Sequence, residues 1–124
     1  MLSRRLSGLS RLNMEILDHR CVRLDTWWSA QNISSPFSGI YLVTEGTGYL
    51  RCRDCVVSMK PGNIHVVPAG LRFSYWCEAE FRKAYFHVSV PLPSGYDLLE
   101  GILEIVSFYA PEIVAFVGDN LCTE

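Results

Sequence analysis

Residues 61–73 read PGNIHVVPAGLRF, from Pro61 to Phe73. Pro61-Gly62 is a turn pair, because proline presets φ and glycine accepts a reversal that other residues resist. Asn63 to Val67 is short, apolar and β-branched, the composition of a strand. Pro68 cannot donate to a ladder, so the strand stops there, and Ala69-Gly70 turns the chain again. A five-residue strand between two reversals belongs to a fold of many short strands.

The flanking segments carry the same texture. From about residue 20 to 91, runs rich in Val, Ile, Tyr, Phe and Trp are broken by closely spaced turn residues, the mark of a barrel or sandwich. Residues 38–46, SGIYLVTEG, form a strand that reverses at Glu45-Gly46-Thr47-Gly48. The next run sets Leu50 and Cys52 on one face and Tyr49, Arg51 and Arg53 on the other, so the Leu50 face points inward. Along residues 82–89, Lys83, Tyr85, His87 and Ser89 share a face, opposite Arg82, Ala84, Phe86 and Val88. His65, between Ile64 and Val66, reads as an exposed or hydrogen-bonded strand residue. After Pro93 the period changes. Ser94 to Asp97 has the form of a helix start. Leu98, Leu99, Ile102, Ile105, Val106 and Tyr109 then fall at helical spacing, and a second segment starts at Pro111 and ends at Gly118. Residues 1–19 are expected as a short disordered or helical lead-in, 20–91 as the β-domain and 94–124 as helices.

Composition bounds the function. The chain has 124 residues, 49% of them hydrophobic, enough for one modest core. A net charge of −2 argues against nucleic-acid binding by this segment alone. No apolar run approaches the roughly 20 residues of a membrane span, and Ser7, Gly8, Ser10 and Arg11 interrupt the start too often for a secretory signal. A cytoplasmic protein is the expectation. Five cysteines, an odd count, suit reduced thiols. Cys52-x-x-Cys55 lies between two strands and reads as small residues flanking the Arg53-Asp54 turn, without the second ligand pair that structural zinc requires.

The spacing of Gly62, Pro68 and Gly70 resembles the second motif of the cupin barrels, G-x5-P-x-G-x2-H, with Phe73 where the metal-binding histidine would stand. Counting back from Gly46, the positions of the family's earlier motif fall on Gly39 and near Ile33 and Ser35, none of which ligates iron, manganese or zinc. No metal and no other cofactor is expected. As a unit, Tyr41 to Gly48, Pro61-Gly62-Asn63, Val66 to Gly70, Ser74-Tyr75-Trp76 and Tyr85 to Val88 resemble the amino-terminal sensor domain of the AraC family of bacterial transcription regulators. Asn63 departs from the usual aspartate and Val88 from a phenylalanine.

That resemblance implies a mainly β fold, a cupin (jelly-roll, double-stranded β-helix) barrel followed by C-terminal α-helices. It implies a small effector, often a sugar, inside the barrel, a homodimer through the helices, and DNA contact only through a helix-turn-helix domain beyond this segment. Matched to the family's sugar-binding member, Tyr75 falls on a polar pocket position and Tyr85 near a stacking position. A polar ligand wants an aromatic platform and a few fixed polar groups, so Lys83, His87 and Trp28 complete the candidate set, with Trp27 beside Trp28 at the barrel mouth or in the core. Leu98, Leu99, Ile102, Ile105, Val106 and Tyr109 are the candidate dimer seam. The expected activity is binding, not catalysis. The alternatives are a stand-alone cupin domain serving as a dimerisation module and a carbohydrate-active enzyme, the latter lacking a second carboxylate to partner Glu45.

Overall fold

A computed structural model describes residues 13–122. The expected lead-in therefore lies mostly outside the described residues, and its last part, from Glu15, is strand. Nine strands follow: β1 (Glu15–Leu24), β2 (Ser29–Ile33), β3 (Ser38–Glu45), β4 (Gly48–Cys52), β5 (Cys55–Met59), β6 (Asn63–Val67), β7 (Phe73–Trp76), β8 (Phe81–Ser89) and β9 (Val106–Tyr109). One helix, α1 (Pro111–Leu121), comes last. The strands make two antiparallel sheets, in the orders β1-β8-β3-β6-β9 and β2-β7-β4-β5. Their inner faces close over a shared core in which Val43, Leu50 and Met59 are fully buried and Phe81 nearly so.

The opening stretch forms as its residues dictate. Gly62 and Gly70 take positive φ, 89° and 81°, on either side of β6, where a side chain would be strained. Cys52 pairs with Cys55 across the Arg53-Asp54 turn, and both thiols are free. His65 is buried rather than exposed. Its Nδ1 lies 2.7 Å from Ser107 Oγ, and desolvation lowers its pKa to about 4.

The C-terminal third departs from expectation. Leu98, Leu99, Ile102, Ile105, Val106 and Tyr109 share no helix face. Asp97 bridges to Pro91, residues 98–101 are turns and 102–105 are irregular, while Val106 and Tyr109 lie on β9, which adds a fifth strand beyond β6. Two residues defeat the helical pattern. Asp97 does not cap a helix: its carboxylate accepts from Val90 N (2.8 Å), Ser89 Oγ (3.3 Å) and Leu99 N (2.9 Å), holding the segment to the end of β8. Such bonds offer the backbone an alternative to the helix ladder. Gly101, at φ 94°, breaks the helical path midway. Helix α1 runs through Gly118 to Leu121 instead of ending at that glycine, whose missing side chain lets it approach Thr44. Val114 buries α1 on the outer face of the larger sheet, against Leu42, Ile64 and Ala84. The expectation that all cysteines are reduced also fails. Cys21 on β1 is disulfide-bonded to Cys122 just after α1, a pairing 101 residues apart in sequence.

Candidate functional site

Between the sheets lies a cavity of about 350 Å³, at the lower end of the range for small-molecule sites. All five residues singled out in the sequence line it: Trp28, Tyr75, Lys83, Tyr85 and His87. Strand alternation explains the grouping. Lys83, Tyr85 and His87 are every second residue of β8 and so share its inner face. Tyr75 reaches in from β7, and Trp28 from the turn before β2, stacked on Tyr75 at 4.3 Å between ring centres. Trp27, by contrast, is 71% exposed and is not among the residues lining this cavity.

Lys83 dominates the electrostatics. Its Nζ sits 4.0 Å from the centre of the Tyr41 ring, 4.5 Å from that of Trp28 and 5.8 Å from that of Tyr85. It is one of two lysines in the chain, and among the described residues no carboxylate forms a salt bridge with it. Desolvation pushes its pKa from 10.5 down to about 7, while the ring faces attract the ammonium form. The surrounding groups hold their protons differently. Burial, with the neighbouring Tyr75 and Tyr85, raises Tyr41 to about 12, so its hydroxyl stays protonated. Tyr85 is raised by desolvation and by its hydroxyl donating to Asp18 Oδ2 at 3.0 Å. Desolvation lowers His87, whose ring lies 4.7 Å from Tyr85 and 4.4 Å from Phe37.

Sequence reasoning missed Tyr41, Phe37 and Phe73 as cavity walls. The signal for Tyr41 was present in Gly39, two residues earlier on the same face. A Cβ on Gly39 would stand 2.6 Å from the Tyr41 hydroxyl, so the glycine leaves room for the ring to lie back along the strand. Phe73, at the place of the cupin histidine, is buried and faces the same cavity. The motif position is thus part of the apolar wall. Among the described residues, no three His, Cys, Asp or Glu side chains gather at metal-binding distance. No described helix is long and apolar enough to cross a membrane. Chemically, the site offers stacking surfaces, hydroxyl donors and one cation without a carboxylate partner.

A family model of the AraC-like ligand binding domain matches residues 18–114. ToxT from Vibrio cholerae O395 superposes with a TM-score of 0.56 at 10% identity, over 85% of this chain and 44% of its own. An unsaturated fatty acid-bound ToxT from strain SCE256 gives 0.55 at 10% identity, over 86% of this chain and 46% of its own. A cupin-2 domain containing protein from Shewanella frigidimarina gives 0.50 at 13%, over 73% of this chain and 92% of its own. The chain thus spans under half the length of the ToxT chains, and the likeness establishes a cupin-like fold. No curated protein matches the sequence.

Proposed function

Since this chain belongs to the family of AraC-like ligand-binding domains, we propose that it is the effector-sensing part of a cytoplasmic transcription regulator. DNA contact would come through a separate helix-turn-helix domain, and the barrel would bind its effector without catalysing a reaction. The effector is a small organic acid whose ring or chain lies on Trp28 and Tyr75 while its carboxylate meets Lys83. One observation carries this reading: an inward-facing ammonium with aromatic rings around it and no carboxylate paired to it. A buried charge without a counter-charge is costly, and an anionic ligand removes that cost. The bound fatty acid of ToxT is an acid of this general kind.

A neutral sugar is the second reading, favoured by the stacked Trp28–Tyr75 pair and the tyrosine hydroxyls. Against it, among the described residues no Asp, Glu, Asn or Gln lines the cavity to fork onto sugar hydroxyls. Calorimetric titration of the chain with aliphatic and aromatic carboxylates, their neutral amides and neutral pentoses separates the two. The acid reading requires that acids bind, that amides do not, and that Lys83→Met abolishes binding. Pentose binding unaffected by Lys83→Met would replace it with the sugar reading, and binding of neither class would overturn the sensing role.

Homodimer formation is part of the same proposal, with its seam moved from the expected helix to the outer side of β9 and α1. Val106, Phe108 and Phe116 are 42%, 48% and 67% exposed there. Sedimentation of Phe108→Ser and Phe116→Ser tests it, because a dimer unchanged by both would rule that face out.

A further inference from the structure

We propose that the cavity also captures small aldehydes and ketones covalently, the Lys83 amine forming a reversible Schiff base with the ligand carbonyl. This deepens the reading of the cavity as an effector site by adding a second ligand class for the same residue in its other protonation state. The geometry comes first. The amine is buried on the inner face of β8, opens into a cavity of about 350 Å³, and has ring faces beside it but no salt-bridged carboxylate among the described residues. A lysine desolvated in an apolar pocket is the usual form of a nucleophilic amine. Burial leaves a substantial neutral fraction near pH 7.

The step balances without any oxidant. The nitrogen lone pair adds to the carbonyl carbon, the C=O π pair goes to oxygen, and a proton passes from nitrogen to that oxygen, giving a carbinolamine. The C–O bond then breaks, the oxygen leaves as water with a second proton, and C=N forms. Tyr41, whose hydroxyl remains protonated and whose ring is the nearest to the amine, is the candidate positioning donor for the leaving oxygen. Titratable groups around Lys83 are Tyr41 on β3, Tyr75 on β7, Tyr85 and His87 on its own strand, and Asp18 through Tyr85; Arg23, Glu45, Arg82 and Asp119 line a neighbouring cavity that Lys83 also borders. None forms a salt bridge with it among the described residues.

The chain makes the test clean, because Lys60 and Lys83 are its only lysines. The full chain is incubated with benzaldehyde at pH 7, reduced with cyanoborohydride and mapped by mass spectrometry, with exposed Lys60 and the terminal amine as internal references. Lys83 is expected to acquire the benzyl group at least about tenfold faster than Lys60, and excess benzoate is expected to protect it. Labelling confined to Lys60 and the terminal amine, or equal rates at both lysines, overturns the inference. Lys83→Arg keeps the cation but cannot form the adduct, so its benzoate affinity is read separately by calorimetry. Absent labelling with benzoate binding intact sinks only the carbonyl capture; loss of both sinks the acid reading as well.

Discussion

Replacing Lys83 by methionine keeps the apolar stem of the side chain, one atom shorter, and removes the charge. Burial holds the ammonium at a pKa of about 7, against 10.5 for an ordinary lysine. Each unit of that depression corresponds to about 1.4 kcal/mol, so the folded state carries a penalty of at most about 5 kcal/mol, which the ring faces of Tyr41 and Trp28 have already reduced. The sign follows from linkage. Between pH 7 and 10.5 the unfolded chain binds the proton and the folded chain releases it, so wild-type stability rises with pH across that window. Below pH 7 both states are protonated and the penalty is complete. Lys83→Met is therefore expected to be more stable than wild type at pH 6. Its advantage should shrink by about 2–3 kcal/mol by pH 9. Urea unfolding of both proteins at pH 6, 7, 8 and 9 reads this directly, and other titrating groups cancel in the difference. A constant difference across that range would refute the reasoning, as would a methionine variant less stable than wild type at pH 6.

Three further outcomes follow from the structure. Disulfide Cys21–Cys122 closes a loop of about a hundred residues, so Cys21→Ser should lower unfolding stability by about 4–5 kcal/mol. A thiol assay on denatured, unreduced wild type should count three thiols, and a count of five would remove the bond. Asp97→Ala leaves the Val90 and Leu99 amides without their acceptor, costing about 2–3 kcal/mol in urea melts. A loss below about 0.5 kcal/mol would mean that water replaces the carboxylate. Gly39→Ala puts a methyl group where the Tyr41 hydroxyl lies, so it should displace that ring and weaken carboxylate binding severalfold with little change in fold. Unchanged affinity would separate Tyr41 from the site.

What the sequence disclosed was whatever depends on local alternation. The inner face of β8 was legible because Lys83, Tyr85 and His87 sit two apart and the period of a strand is two. The turns were legible because Pro61-Gly62 and Pro68-x-Gly70 allow little else. The stretch from Leu98 to Tyr109 misled for the converse reason. Its apolar spacing matched a helix, yet the tertiary bonds of Asp97 and the positive φ of Gly101 outweighed that local pattern. Cys21 and Cys122 could not be paired from spacing, because their meeting depends on α1 folding back across β8 to the edge strand β1. Tyr41 is legible only through Gly39 in its own segment, because its role is set by Tyr75 on β7 and by Lys83 and Tyr85 on β8.

Lys83 also fixes how ligand binding should respond to pH. A carboxylate beside the amine favours its charged form, so binding raises the proton affinity of Lys83. At pH 6 the lysine is already protonated and an acid binds without proton exchange. At pH 8 the free protein is mostly neutral at that site, and binding draws up to about one proton from solution. Calorimetric enthalpies measured in two buffers of different ionisation heat should therefore coincide at pH 6 and diverge at pH 8, while affinity falls as pH rises. A carbonyl ligand behaves oppositely, since it consumes the neutral amine and its capture strengthens as pH climbs through 7. Equal enthalpies in both buffers at both pH values would mean that the ligand's charge is met elsewhere, and would return Lys83 to the role of a buried wall residue.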